Sequence, residues 1–252
     1  MKVDCHTHWG LGFHQRDGED PSRWLAVLDR YDVTHAVVLP HEGLMHAGRI
    51  AGEHDHFAVV CGASNGRMLP FCTACAWYDE EALAEVKRCL SDLAFRGIKF
   101  HPWMQGTSVS QPAMDRFAQL AVEHDVPILF HDGTPPFSLP SQMALLAARN
   151  RKAQIVLGHS GLFEHWREAA AAVNSGENVW ACLCGPHVAG LRYLVEHCPI
   201  EQLLWGADFG YVSTVDVYPY RDPLMDLLDL TDAQKQAIYH DNPARLLKLK
   251  KL

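Results

Sequence analysis

No apolar run in this chain of 252 residues approaches the roughly 20 residues needed to cross a bilayer. A basic stripe is also missing. Thirty acidic residues outnumber 22 basic ones, and the formal charge of −8 argues against a nucleic-acid backbone as the main partner. The one basic cluster, Lys248-Leu249-Lys250-Lys251, reads as the solvated end of a last helix. A Gly-rich, phosphate-cradling first turn is absent; the first strand-like run leads into His6-Thr7-His8-Trp9-Gly10. Cys72-Thr73-Ala74-Cys75 has no second CxxC pair, so no structural zinc is expected. The eight cysteines, at 5, 61, 72, 75, 89, 182, 184 and 198, read instead as reduced, buried thiols. Met1 leads straight into a strand with no secretory apolar region, which makes the cytoplasm the expected location.

What the chain does have is alternation. Strand-like runs lie at 2–6, 35–39, 69–75, 97–101, 127–131, 154–158, 178–184 and 202–207. Helical patterns separate them, at 21–31, 79–94, 111–124, 139–149, 163–174, 187–197, 222–240 and 242–250. The first of these starts on Pro21 and keeps Trp24, Leu25 and Leu28 on one side. Strands that alternate with helices imply parallel βα units. With 48% hydrophobic residues and no phosphate-type first turn, the expectation is an α/β fold, a single-domain (β/α)8 barrel over residues 1–252. A doubly wound sheet is the competing architecture.

Polar residues stand where the apolar runs stop. His6 and His8 end the first, Lys99 and His101 the fourth, His131 the fifth, His159 the sixth and Asp208 the eighth. In such barrels the C-terminal strand ends form the active site. A period of two puts Asp4, His6 and His8 on one face of the first strand. By the same parity His131 shares a face with Leu129, His159 with Ile155 and Leu157, and Asp208 with Leu204 and Gly206. Convergence of these side chains at one mouth is the expectation. Trp9, His14, His41, Trp77, Trp103, Asp132 and His187 also follow strand ends, as weaker candidates for pocket walls. A second His-x-His, His54-Asp55-His56, falls in a helical stretch where i and i+2 diverge, and reads as a solvated face.

Asp4-Cys5-His6-Thr7-His8, Gly97-Ile98-Lys99-Phe100-His101-Pro102, Phe130-His131, Gly158-His159-Ser160-Gly161 and Trp205-Gly206-Ala207-Asp208 resemble successive motifs of the amidohydrolase superfamily. The likeness is to its amidohydrolase-related (type 2) branch of hydrolases and decarboxylases, and Asn242-Pro243-Ala244-Arg245-Leu246 resembles that branch's closing helix. Phe209-Gly210 and Asp132 depart from the usual pattern near the mouth. The resemblance implies that His6, His8, His131 and Asp208 hold one divalent metal, zinc first and manganese second, with Asp208 and His159 as the catalytic pair. Lys99 is the residue that a binuclear member would carboxylate, with His159 as a second-metal ligand. The reading preferred for this branch is an unmodified lysine facing a substrate carboxylate, and His101 is a further substrate contact or a support.

Two reaction types compete for that site. The first is hydrolysis of a small amide, lactone or ester by activated water. The second is non-oxidative decarboxylation of a small aromatic or unsaturated acid. A TatD-like deoxyribonuclease ranks lower, because the Gly-Glu-x-Gly-Leu-Asp segment of those enzymes is missing and the charge is unfavourable. A barrel that has lost its chemistry and only binds is the non-enzymatic alternative. The expected partner is a small molecule, with neither nucleic acid nor membrane, and oligomeric state is left open.

Overall fold

The computed structural model describes residues 1–211 and 216–249, so Lys250 and Lys251 of the basic cluster lie outside the described residues. Eight parallel strands follow one another around the sheet in chain order. They are β1 (Lys2–His8), β2 (Val33–Leu39), β3 (Met68–Cys72), β4 (Gly97–Phe100), β5 (Ile128–Phe130), β6 (Ile155–Leu157), β7 (Val179–Cys182) and β8 (Leu203–Leu204). The end of the β8 segment returns to β1. Cys5 N–H donates to Trp205 O at 3.0 Å, Asp208 N–H to His6 O at 2.8 Å and His8 N–H to Phe209 O at 2.7 Å. This is the expected single-domain (β/α)8 barrel. Among the described residues no helix is long and apolar enough to cross a membrane.

Two apolar layers follow from the strand period of two. Val3, Cys5, Val37, Leu39, Leu69, Phe71, Leu129, Val156, Trp180, Cys182 and Leu204 pack inside the barrel, where Leu246 and Leu247 of the last helix join them. The alternate residues, among them Ile98, Phe100, Ile128, Phe130, Ile155 and Leu157, meet helix residues such as Phe117, Met143 and Leu194. Glycine makes room where the interior narrows. A Cβ on Gly97 would lie 2.3 Å from the Phe71 ring, and one on Gly206 would lie 2.6 Å from Cys182 Sγ.

Three expectations are corrected. First, Asp4 does not share a face with His6 and His8. Pairing with β2 runs Asp4 to Ala36 but Thr7 to Val38, so β1 carries one extra residue between them. That bulge turns His6 and His8 toward the mouth while Val3 and Cys5 stay inside. Asp4 points to the outer layer, where its carboxylate accepts from Ala207 N–H at 3.1 Å and Tyr218 O–H at 2.9 Å. Second, Ile155 and Leu157 face the helices, and Val156 faces inward. His159 reaches the mouth from a turn beyond β6, in which Ser160, Gly161 and Leu162 all have positive φ. Third, the helix expected at 222–240 is broken. Tyr218–Asp226 ends before a new start at Asp232, where Thr231 Oγ1 accepts from Gln234 N–H and the two side chains form a capping box.

The second His-x-His is not a solvated face either. His54 is fully buried, and its Nε2 accepts the Thr73 N–H at 3.0 Å. His56 Nε2 accepts from Trp9 Nε1 at 3.0 Å, which places Trp9 in the core and not in a pocket wall. Helices at Leu11–Asp17 and Glu42–Met45 add to those expected from the sequence.

Candidate metal centre

His6 and His8 arrive at the barrel mouth with their rings already oriented. His6 Nδ1 lies 2.9 Å from Gly158 O and His8 Nδ1 lies 2.9 Å from Pro40 O. A carbonyl only accepts, so each Nδ1 carries the proton and donates it. Each Nε2 is left with a free lone pair, the arrangement that second partners impose on metal-binding imidazoles. Both lone pairs face one carboxylate oxygen: Asp208 Oδ1 is 3.4 Å from His6 Nε2 and 3.6 Å from His8 Nε2. Asp208 takes φ 59°, in the left-handed region that Asp tolerates better than most residues, at the point where the β8 segment turns away.

These approaches are not ion pairs. Burial, then the Lys99 charge, holds both imidazoles well below their ordinary pKa, so they are neutral. Burial raises the Asp208 carboxyl, against the pull of Lys99 and Arg221. His6 Nε2 is buried and has no hydrogen-bond partner. An orphaned acceptor that faces a second imidazole nitrogen and a carboxylate is a costly arrangement on its own. A divalent cation would satisfy all three donors, and nitrogen with carboxylate oxygen is a set suited to zinc or manganese.

His131 enters the same cavity, but its nitrogens lie outside the close His6–His8–Asp208 trio. Its Nε2 is 3.2 Å from Thr134 Oγ1, and its ring stacks on His101 with centroids 3.8 Å apart. Of the four expected ligands, then, three are drawn together and the fourth lies beside them. His159 sits between His6 and His131, with centroids 4.5 and 4.4 Å away. Burial lowers the pKa of His101 far below normal and that of His131 to about 3. Lys99 is buried at the bottom of the mouth, where desolvation brings its amine down to about 8. Among the described residues its amine makes no ion pair or hydrogen bond.

The cavity around these groups measures about 550 Å³, a normal size for a small-molecule site. Tyr211, Arg221, Cys184, Met104 and Phe163 also line it, and none of these was singled out from the sequence. Tyr211 stands edge-on to both His8 and His41, with each centroid distance 4.8 Å. Of the weaker candidates, Trp103 lines this cavity and His187 an adjoining one. Trp77 is exposed, bonding Gly106 O at 3.2 Å, and His14 packs edge-on against His56. Asp132 is a correction. It is fully buried and spends its oxygens on His159 N–H at 2.6 Å and Gly161 N–H at 2.5 Å. It therefore shapes the turn that presents His159, and its charge supports the Lys99 amine against the effect of burial.

Two other clusters have metal-like composition. In His54–Glu85–Cys89 the Thr73 amide occupies His54 Nε2, so Nδ1 carries the proton and donates to Glu85 at 2.7 Å. In His6–His159–Cys184 the Nδ1 of His6 is already used by Gly158, and the Cys184 thiol bonds the same carbonyl at 2.9 Å. Neither offers a free donor set like that of the mouth.

An eight-stranded barrel with neutral imidazoles and a carboxylate at its mouth presents a donor set that fits a divalent cation. The chain belongs to the amidohydrolase family, whose model, described as Amidohydrolase, matches residues 3–249. No curated protein matches the chain. Among solved structures it is similar to a putative amidohydrolase from Staphylococcus aureus, at 18% identity and a TM-score of 0.74, covering 98% of this chain and 99% of that one. It is also similar to 4-oxalomesaconate hydratase from Rhodopseudomonas palustris, at 17% identity and TM-score 0.75, covering 98% and 96%. A third is dihydroxybenzoic acid decarboxylase from Polaromonas sp., with bound manganese and 2-nitroresorcinol, at 14% identity and TM-score 0.73, covering 100% and 98%. At these identities the likeness to the solved structures concerns the fold.

Proposed function

We propose that the protein is a metal-dependent hydrolase of a small amide, lactone or ester that carries an acid group. The observation that carries this reading is the orphaned His6 Nε2, which faces Asp208 and His8 at a strand-end cavity. His6, His8 and Asp208 would hold the cation, zinc before manganese, with His131 within the same cavity as a fourth ligand. A divalent ion so bound lowers the pKa of water toward neutrality and polarises a carbonyl. Asp208 takes the proton from the attacking water. His159, neutral and beside His6, donates a hydrogen bond to the carbonyl, and the proton that Asp208 takes up passes to the leaving group. Lys99, buried and without an ion pair or hydrogen bond among the described residues, binds the substrate's carboxylate.

The same lysine favours a second reading. A cation at the bottom of the cavity equally seats the carboxylate that a decarboxylase would release. Turnover in ¹⁸O-water separates the two. Hydrolysis should place one labelled oxygen in the product and release no carbon dioxide; carbon dioxide without label would replace hydrolysis by decarboxylation.

Lys99→Met tests the lysine directly. A charge-assisted hydrogen bond contributes about 1.5–3 kcal/mol, so KM for an acidic substrate should rise roughly 10–100-fold while metal content stays the same. An added carboxylate on Lys99 by intact mass, with two metals per chain, would overturn the mononuclear reading and make His159 a ligand.

A further inference from the structure

The cavity continues past Asp208. A second lobe of about 550 Å³ adjoins the first, and Phe163, Gly185, Asp208 and Arg221 line both. Val217 and Leu224 give the second lobe apolar walls, and His187 and Tyr220 give it polar edges. Among the described residues that line the two lobes, Asp208 is the one carboxylate, against the two cations Lys99 and Arg221. Arg221 makes no ion pair among the described residues, and its charge reaches the cavity, where it draws on Asp208. Its backbone is fixed in the Tyr218–Asp226 helix, so the side chain is delivered to the passage between the lobes by a rigid element. A planar guanidinium with five donors, not held in an ion pair among the described residues, is matched in shape and charge by a carboxylate.

We propose that Arg221 is the specificity-determining residue for a second carboxylate. The substrate is then an elongated dicarboxylic acid. Its reacting end lies in the first lobe beside Lys99, its apolar skeleton passes Phe163, and its distal carboxylate is held by Arg221 from the second lobe. This rests on the metal-centre reading, because the cation and Lys99 hold the near end.

Calorimetric titration of the zinc-loaded protein tests it. The probes are straight-chain dicarboxylates from succinate to suberate, each compared with the monocarboxylate of equal length. At one chain length the diacid should bind about 10–100-fold more tightly than the monoacid, the increment of a charge-assisted pair. Arg221→Met should bring that ratio close to one, and Arg221→Lys, which keeps the charge but not the fork, should restore part of it. Metal content is measured on every preparation. One metal per chain with equal binding of diacid and monoacid, or with a ratio that survives Arg221→Met, would overturn this proposal and leave the metal centre standing. A wild type that takes up no metal would sink the metal centre, and the proposal with it.

Discussion

Purified His6→Ala/His8→Ala protein should hold no tightly bound divalent ion, where the wild type should carry or accept about one per chain. The two imidazoles are the part of the donor set that is oriented in advance, through the Gly158 and Pro40 carbonyls. Their removal leaves Asp208 with His131, which is already engaged with Thr134. Two scattered donors do not make a structural-grade site. The barrel should still fold, because the packed interior is built from Val3, Cys5 and their neighbours and not from the histidines. Elemental analysis of the two proteins after dialysis is the measurement. Equal metal content would remove the central claim of this reading.

Asp208→Asn should lower turnover by roughly 10²–10⁴-fold, the usual contribution of a positioned general base. An amide keeps the shape and one oxygen but cannot take a proton from water. The substitution lies at the mouth, away from the packed layers, so the melting temperature should change little. Metal content has to be read alongside, because weakened coordination by the amide would lower activity by a different route. Turnover close to wild type would assign the base to another group, with His159 the nearest alternative.

Most of the architecture was legible from the order of apolar runs, since eight strand-like segments separated by helical ones admit few parallel folds. The placement of His6, His8, Lys99, His101, His131, His159 and Asp208 around one cavity followed from strand-end position alone. What failed was parity counting, which assumes an unbroken pleat. The extra residue in β1 put Asp4 on the outer layer, and the positive-φ turn after β6 carried His159 in from the wrong face. Neither break has a composition signal. The split of the last long helix did have one, because Thr231 and Gln234 stand at capping-box spacing between leucines that continue the helical period. Tyr211 and Arg221 were missed for a further reason: Tyr211 lies beyond the last strand-end motif and Arg221 just before the helix expected at 222, and no periodicity points either at the mouth.

The extra residue in β1 has a consequence for how this chain can drift. Upstream of it, Val3 and Cys5 answer to volume; downstream, His6 and His8 answer to lone pairs. A substitution on one side is therefore judged by a criterion that does not apply on the other, and the two stretches can vary independently. Loss of a single residue between Asp4 and Thr7 would be different in kind. It would restore a regular pleat, and β1 would then hold its place in the barrel while its imidazole pair lost the alignment that brings both rings to Asp208. The barrel would survive as an inert relative of itself, one deletion away from the parent.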